Sequence, residues 1–193
     1  MGEPKRPHGT RVGIVVSQLG YGGAERQTAL LLERLAESPW RPDIVCCLSE
    51  AVEPYGPLLQ RLGYPLAVLP RRRSFELGRL LALRRLIRRE RLTLVHAVHL
   101  LASGYAFLAT RACRGVRLLP SARGTVVWPA RVKRVIYRAM FRSCPRTLVN
   151  SSAGARFLVE RYAAPPERIV VIPNGIDVEA IAREARRGPQ VRR

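Results

Sequence analysis

The chain has 193 residues, 47% of them hydrophobic, which suits one sizeable core near the upper end of a one-domain length. Its formal charge of +20 comes from 34 Lys and Arg against 14 Asp and Glu; the excess favours anionic partners, though an Arg-rich composition spread along the chain produces it equally. An Arg, Pro or Gly interrupts every apolar stretch before the roughly 20 residues of a membrane-spanning helix are reached, so any membrane contact is expected to be peripheral.

Residues 1–10 lack the apolar run of a secretory signal and read as a disordered basic lead to a cytoplasmic protein. A strand is expected over Arg11–Ser17 and a helix over Gly23–Glu37, with Ala24, Thr28, Leu31, Leu32 and Leu35 on one side and Glu25, Arg26, Glu33 and Arg34 on the other. Strand Asp43–Leu48, helix Pro54–Leu62 and strand Leu66–Leu69 come next. In the third helix, Phe75–Arg91, Leu80, Leu83 and Ile87 keep helical spacing but are surrounded by Arg79, Arg84, Arg85, Arg88 and Arg89 and preceded by Arg71, Arg72 and Arg73. Such a segment is either a solvated outer face or a patch for anionic lipid.

The alternation continues with strand Thr93–Val98, helix Leu101–Cys113, strand Val116–Ser121, helix Ala130–Arg142, strand Thr147–Asn150, helix Ala153–Tyr162 and strand Ile169–Ile172. Each strand is apolar nearly throughout, as in strands buried on both faces. Strand and helix in strict alternation imply right-handed crossovers and an α/β fold, a doubly wound, Rossmann-like, mainly parallel sheet of about seven strands over residues 11–181. Beyond Asp177, Val178–Arg187 reads as one or two helical turns, and residues 182–193 as a basic tail opening a linker.

Cys46, Cys47, Cys113 and Cys144 show no C-x-x-C and no zinc spacing, so they read as buried free thiols in a reducing compartment. His96 and His99 stand three apart without a nearby carboxylate or further Cys, and no metal is expected.

In open α/β sheets ligands bind beyond the carboxyl ends of the strands, so the loops after the strands carry the chemistry. Gly20, Gly22 and Gly23 allow a tight turn into the first helix, whose N-terminal N–H groups then form either an anion cradle or only a structural turn. Neither G-x-G-x-x-G nor G-K-[ST] is present. His96 and His99 bracket the end of the fourth strand, in ligand contact or with one or both merely hydrogen-bonded in the packing. Arg123 lies just after the fifth strand; a guanidinium binds phosphate bidentately but accepts no proton, and its other reading is surface pairing. Asn150 and the serines after it end the sixth strand, either capping the next helix or touching ligand. Pro173 closes the last strand, Asn174 and Gly175 are expected in a turn allowing positive φ, and Asp177 is expected to cap a short helix after it.

The stretches QLGYGGAER (Gln18–Arg26) and IVVIPNGID (Ile169–Asp177), in this order and at this separation, resemble the N-terminal domain of family 4 glycosyltransferases, two-domain enzymes of GT-B architecture. The resemblance implies that Gly22, Gly23 and Glu25 form a GG-x-E loop at the interdomain cleft, near the donor diphosphate and the acceptor. It implies that His96 fits the first position of an H-x-H-like segment, Val98 departing from the second. It implies that Arg123 replaces the histidine many members carry before a glycine, here Gly124, as an acceptor or diphosphate contact. Asn174, Gly175 and Asp177 match the string before the crossing to the second domain. Members transfer a sugar from a nucleotide-sugar donor, a co-substrate rather than a cofactor, with retention and usually without metal.

This half of such an enzyme binds the acceptor, a saccharide or lipid-linked saccharide, and is expected to be inactive, or nearly so, without a donor domain. A truncated product, a split enzyme completed by a partner chain and a repurposed non-catalytic binding or regulatory domain all fit that expectation. The expected location is cytoplasmic, with peripheral attachment to an anionic membrane surface. The other class of reading, a basic nucleic-acid-binding α/β protein, is disfavoured by 6% aromatic residues and the absence of a recognisable nucleic-acid motif.

Overall fold

The computed structural model describes residues 6–70, 77–123 and 131–176, together with 178, 182 and 183. Strands β1 (Val12–Val16), β2 (Ile44–Cys47), β3 (Leu66–Val68), β4 (Leu94–Val98), β5 (Arg117–Ala122), β6 (Thr147–Val149) and β7 (Ile169–Val171) form one sheet in the order β3-β2-β1-β4-β5-β6-β7. Every pairing is parallel. The strands are linked by helices α1 (Gly23–Leu35), α2 (Tyr55–Arg61), α3 (Leu77–Arg89), α4 (Leu100–Thr110), α5 (Arg131–Ser143) and α6 (Ser152–Tyr162), the last leading into a 3-10 turn at Pro166–Arg168. The expected alternation and fold class are both observed.

A strand covered on both faces has no solvent side, and so β1 reads VGIVV with every residue buried. Its odd residues face one core and its even residues the other. Val15 joins Cys46, Val95 and Ala97 under α3, α4, α5 and α6, whereas Ile14 and Val16 join Leu19, Leu32 and Leu59 under α1 and α2. The thinner second layer leaves part of the sheet beyond β4 open on that side, and Leu148 and Ile172 there line a cavity.

Helix α4, LLASGYAFLAT, has no charged residue and is buried nearly all round, as befits a helix between α3 and α5. In α1 the buried residues are Glu25, Thr28, Ala29 and Leu32, while Leu31 is 38% exposed. The expected apolar face is therefore rotated: Leu31 turns out and Glu25 turns in, because the Glu25 carboxylate has polar partners at the helix start. Helix α3 runs from Leu77, and the expected start at Phe75, like Arg71–Arg73, lies outside the described residues. Its Leu83, Leu86 and Ile87 are buried together with Arg79, whose Nη1 donates to the Leu48 carbonyl at 3.0 Å.

The lead is anchored from Arg6 onward, whose guanidinium donates to the Arg41 carbonyl and pairs with Asp43. Residues 1–5 lie outside the described residues. Burial raises the Asp43 carboxyl, but bonds from Arg6 and the Val12 N–H, with the charges of Arg6 and Arg11, outweigh it and leave the group below its ordinary value. All four cysteines are free thiols, and burial lifts Cys46 to about 12 and Cys144 to about 11.

Candidate functional site at the strand ends

The sheet order places a switch point between β1 and its neighbour β4, where the chain leaves the two strands toward opposite faces. The crevice is walled by the starts of α1 and α4. Glu25, in the first turn of α1, accepts from Gln18 Nε2 at 3.1 Å and stands 3.8 Å from Nε2 of His99, the N-cap of α4. His99 has φ of 75°, a left-handed conformation that a non-glycine residue adopts at a cost, and its Nε2 is buried without a hydrogen bond. Burial lowers the His99 pKa; Glu25 raises it, Arg123 lowers it, and the balance favours the neutral ring.

Gly22 is the N-cap of α1, with an extended backbone (φ 174°). A Cβ there would collide with the Glu25 carboxylate, whereas one on Gly23 would meet nothing within 4 Å. Gly22 therefore makes room for Glu25, and neither Gly20, Gly22 nor Gly23 has positive φ in the left-handed region. The chain bends at residues 20–22 and enters the helix through the extended Gly22, without using the left-handed conformation open to glycine. The positive end of α1 is matched from within by the Glu25 carboxylate, only 8% exposed, which weakens it as an anion cradle.

Beside this crevice lies a cavity of about 420 Å³ between α1, the ends of β4, β5 and β6, and the segment after β7. His96 from the middle of β4, Ser121 and Arg123 from the end of β5 and Asn150 from just after β6 line it, with Asn174 and Gly175 on its far wall and Gln27 and Arg34 of α1 on its near wall. His96 Nε2 lies 2.7 Å from Ser121 Oγ. Burial, with the charge of Arg123 added, pushes the imidazole down to about 4, so the ring is neutral at neutral pH.

The backbone of Ser121 is in turn held by the fully buried Ser103: the Ser103 hydroxyl accepts the Ser121 N–H at 3.3 Å and lies 3.2 Å from the carbonyls of Ser121 and Ala97. Arg123 is lowered by burial yet remains a cation, and its Nη1 is buried with no hydrogen-bond partner among the described residues. A buried guanidinium nitrogen without a partner is uncommon, because leaving such a donor unsatisfied costs free energy.

Of the residues selected from sequence, His96, Arg123, Asn150, Asn174 and Gly175 share the cavity, while Gly22, Gly23 and Glu25 belong to the adjoining crevice. Arg123 bridges the two electrostatically, since its charge acts on both histidines. Helix capping after β6 is done by Ser151, whose Oγ accepts the Gly154 N–H at 3.1 Å, which leaves Asn150 to the cavity. Asn174 and Gly175 do not form the expected turn. Their segment is irregular without positive φ at Gly175, because the Ile172 N–H bonds to Val149 at 2.8 Å and Gln27 Nε2 to the Gly175 carbonyl at 2.9 Å. Asp177 and Gly124 lie outside the described residues. Sequence reasoning did not select Gln18, His99 and Ser121 for the site; His99 carried a signal in its place at a strand end.

A family model, Glycosyltransferase Family 4, matches residues 21–180. No curated protein matches the chain by sequence. Among solved structures, Anabaena HepE in complex with UDP and glucose superposes with a TM-score of 0.65 at 17% identity, covering 88% of this chain and 46% of that one. A glycosyltransferase from Rickettsia africae gives 0.67 at 16%, covering 94% and 50%. The lipopolysaccharide outer core galactosyltransferase WaaB in its apo form gives 0.65 at 12%, covering 88% and 47%. The chain thus spans about half the length of the solved structures it matches, and at these identities the likeness shows the fold.

Proposed function

Since the chain belongs to glycosyltransferase family 4, we propose that it is the acceptor-binding half of a retaining glycosyltransferase, moving a sugar from a nucleotide-sugar donor to a hydroxyl of a saccharide or lipid-linked saccharide. The observation that carries this reading is the convergence of Arg123, His96 and Asn150 in one cavity of about 420 Å³ at the strand ends. Its wall is mainly apolar with a few directed polar groups, as small-molecule sites are. A neutral imidazole and an amide each exchange hydrogen bonds with sugar hydroxyls. The buried Nη1 of Arg123 answers a phosphate, of the donor or of a phosphate-linked acceptor.

The crevice at Gly22, Gly23 and Glu25 faces where a second domain, in the same chain or a partner chain, would bring the donor. A nucleotide-sugar donor is supported by the UDP and glucose bound to the Anabaena neighbour. Arg123 does not take the acceptor proton, since it keeps its own. The same reading puts the protein in the cytoplasm, at the inner face of the membrane where a lipid-linked saccharide is met.

The test is saturation-transfer NMR of the chain against a panel of saccharides and phosphosaccharides. Binding is expected for some, weakened about tenfold or more by Arg123→Gln and less by Arg123→Lys, as befits loss of a charge-assisted bond. Binding that ignores Arg123→Gln and His96→Ala, or the lack of any saccharide binding, would overturn the assignment.

A further inference from the structure

Helices α3, α4 and α5 all start at the strand-end rim and run back along the sheet in the same direction, with α4 packed between the other two. Helix α4 carries no charge, and neither α3 nor α5 contains an acidic residue. The exposed large apolar side chains of the outer helices lie in their first two turns: Leu77 (62% exposed) and Leu81 (38%) in α3, Val132 (70%) and Val135 (67%) in α5. Between α4 and α5 runs an apolar groove of about 250 Å³, lined by Leu101, Tyr105, Leu108, Val132, Ile136 and Tyr137.

Around it the outward face of α5 exposes Arg131, Arg134, Arg138 and Arg142; the exposed Arg85, Arg88 and Arg89 of α3 lie toward that helix's far end, where Arg89 pairs with Glu90. A helix that only separates core from water turns its apolar residues inward. Helix α5 does that with Tyr137, Met140 and Phe141, then adds valines among the arginines on the water side. Apolar side chains interleaved with the arginines of α5 match one class of surface in both respects: the acyl boundary and phosphates of an anionic lipid leaflet.

We propose that the rim-side face of α3, α4 and α5 is a docking surface for an anionic phospholipid bilayer. Val132, Val135, Leu77 and Leu81 enter the headgroup boundary, the α4–α5 groove takes part of an acyl chain, and Arg131, Arg134 and Arg138 meet the phosphates. This shifts the lipid contact from α3 alone, as read in the sequence, to a layer in which α5 has the more exposed side chains. Among the described residues no helix is long and apolar enough to cross a membrane, so the contact is a seating on the surface. Docked in this way, the start of α4, one residue beyond His99, stands over the leaflet. The inference rests on the outer face and holds whether or not the cavity takes a saccharide.

The test is co-sedimentation of the chain with vesicles of phosphatidylcholine, alone or mixed with phosphatidylglycerol. Partition into the mixed vesicles alone is expected, weakening as salt rises. The double variant Val132→Ser/Val135→Ser is expected to lower it about tenfold with an unchanged melting midpoint, since both side chains are exposed. Arg134→Gln/Arg138→Gln is expected to lower it by roughly twenty-fivefold, at about fivefold per basic group. Arg26→Gln/Arg61→Gln, removing the same charge from α1 and α2 on the opposite layer, is expected to change it little.

Equal partition into both vesicle types, no response to the valine variant, or an equal loss in the opposite-layer control would overturn the proposal. So would a chain that ignores vesicles but dimerises through Val135, which would make this the seat of a second copy.

Discussion

His96 sits in the middle of β4 and touches a serine of β5, and its protonation is set by that position. Unfolded, the ring takes a proton near its ordinary value of 6.5; folded, burial and Arg123 hold it at about 4. The neutral ring therefore contributes stability that is complete above pH 6.5 and is lost as pH falls toward 4, on the order of 3 kcal/mol at most. Urea unfolding at neutral pH and near pH 4.5 should show this loss, and His96→Gln should shrink the difference, leaving a remainder from His99, whose pKa is also lowered. An unchanged difference in the variant would mean that the ring does not resist protonation. The residue types of the site were legible because polar residues at strand ends are rare among apolar neighbours. The pairing of Glu25 with Gln18 and His99 was not, since helical periodicity put Glu25 on the water side and only the sheet order brings β4 beside β1.

At the level of elements, the alternating pattern placed strands β1–β7 and helices α1–α6 to within a few residues, because buried parallel strands leave an unbroken apolar run that helices interrupt, while most of the helical segment expected over Val178–Arg187 lies outside the described residues. Ends were less legible, and two of them yield predictions. Helix α6 closes on Ala163 in the left-handed region (φ 50°, ψ 42°), a place where glycine is unstrained. Ala163→Gly should raise stability by about 0.5–1 kcal/mol in urea unfolding, the relief of strain exceeding the added freedom of the unfolded chain. In β1, by contrast, a Cβ on Gly13 would stand 2.5 Å from Leu92 Cδ1, and Leu92 is itself buried where the chain turns into β4. Gly13→Ala should cost about 1–3 kcal/mol by overpacking. Its cost should fall in a Leu92→Ala background, since the two residues share one space; strict additivity would show that the strand tolerates the methyl group elsewhere.

Taken whole, the molecule carries its basic excess unevenly. Among the described residues Asp43 and Glu90 gather Arg6, Arg11 and Arg89 near the amino ends of the strands, whereas Arg123 is buried at the opposite rim with Nη1 unpaired. Alternation of elements made the parallel sheet legible but not which strands are neighbours, so the gathering of His96, Arg123 and Asn150 could not be read from spacing alone. With a formal charge of +20, exposed guanidinium groups repel one another more in the compact state than in the expanded one. Screening should relieve this: raising sodium chloride from about 0.02 to 0.2 M, across which the Debye length shrinks about threefold, should raise the thermal midpoint. Phosphate at equal ionic strength should raise it further, because it screens and also binds where Arg123 waits, and Arg123→Gln should remove that extra increment while leaving the chloride effect in place. A midpoint that falls with chloride would mean that the few ion pairs outweigh the repulsion, and an increment surviving in Arg123→Gln would move the anion contact away from the strand-end cavity.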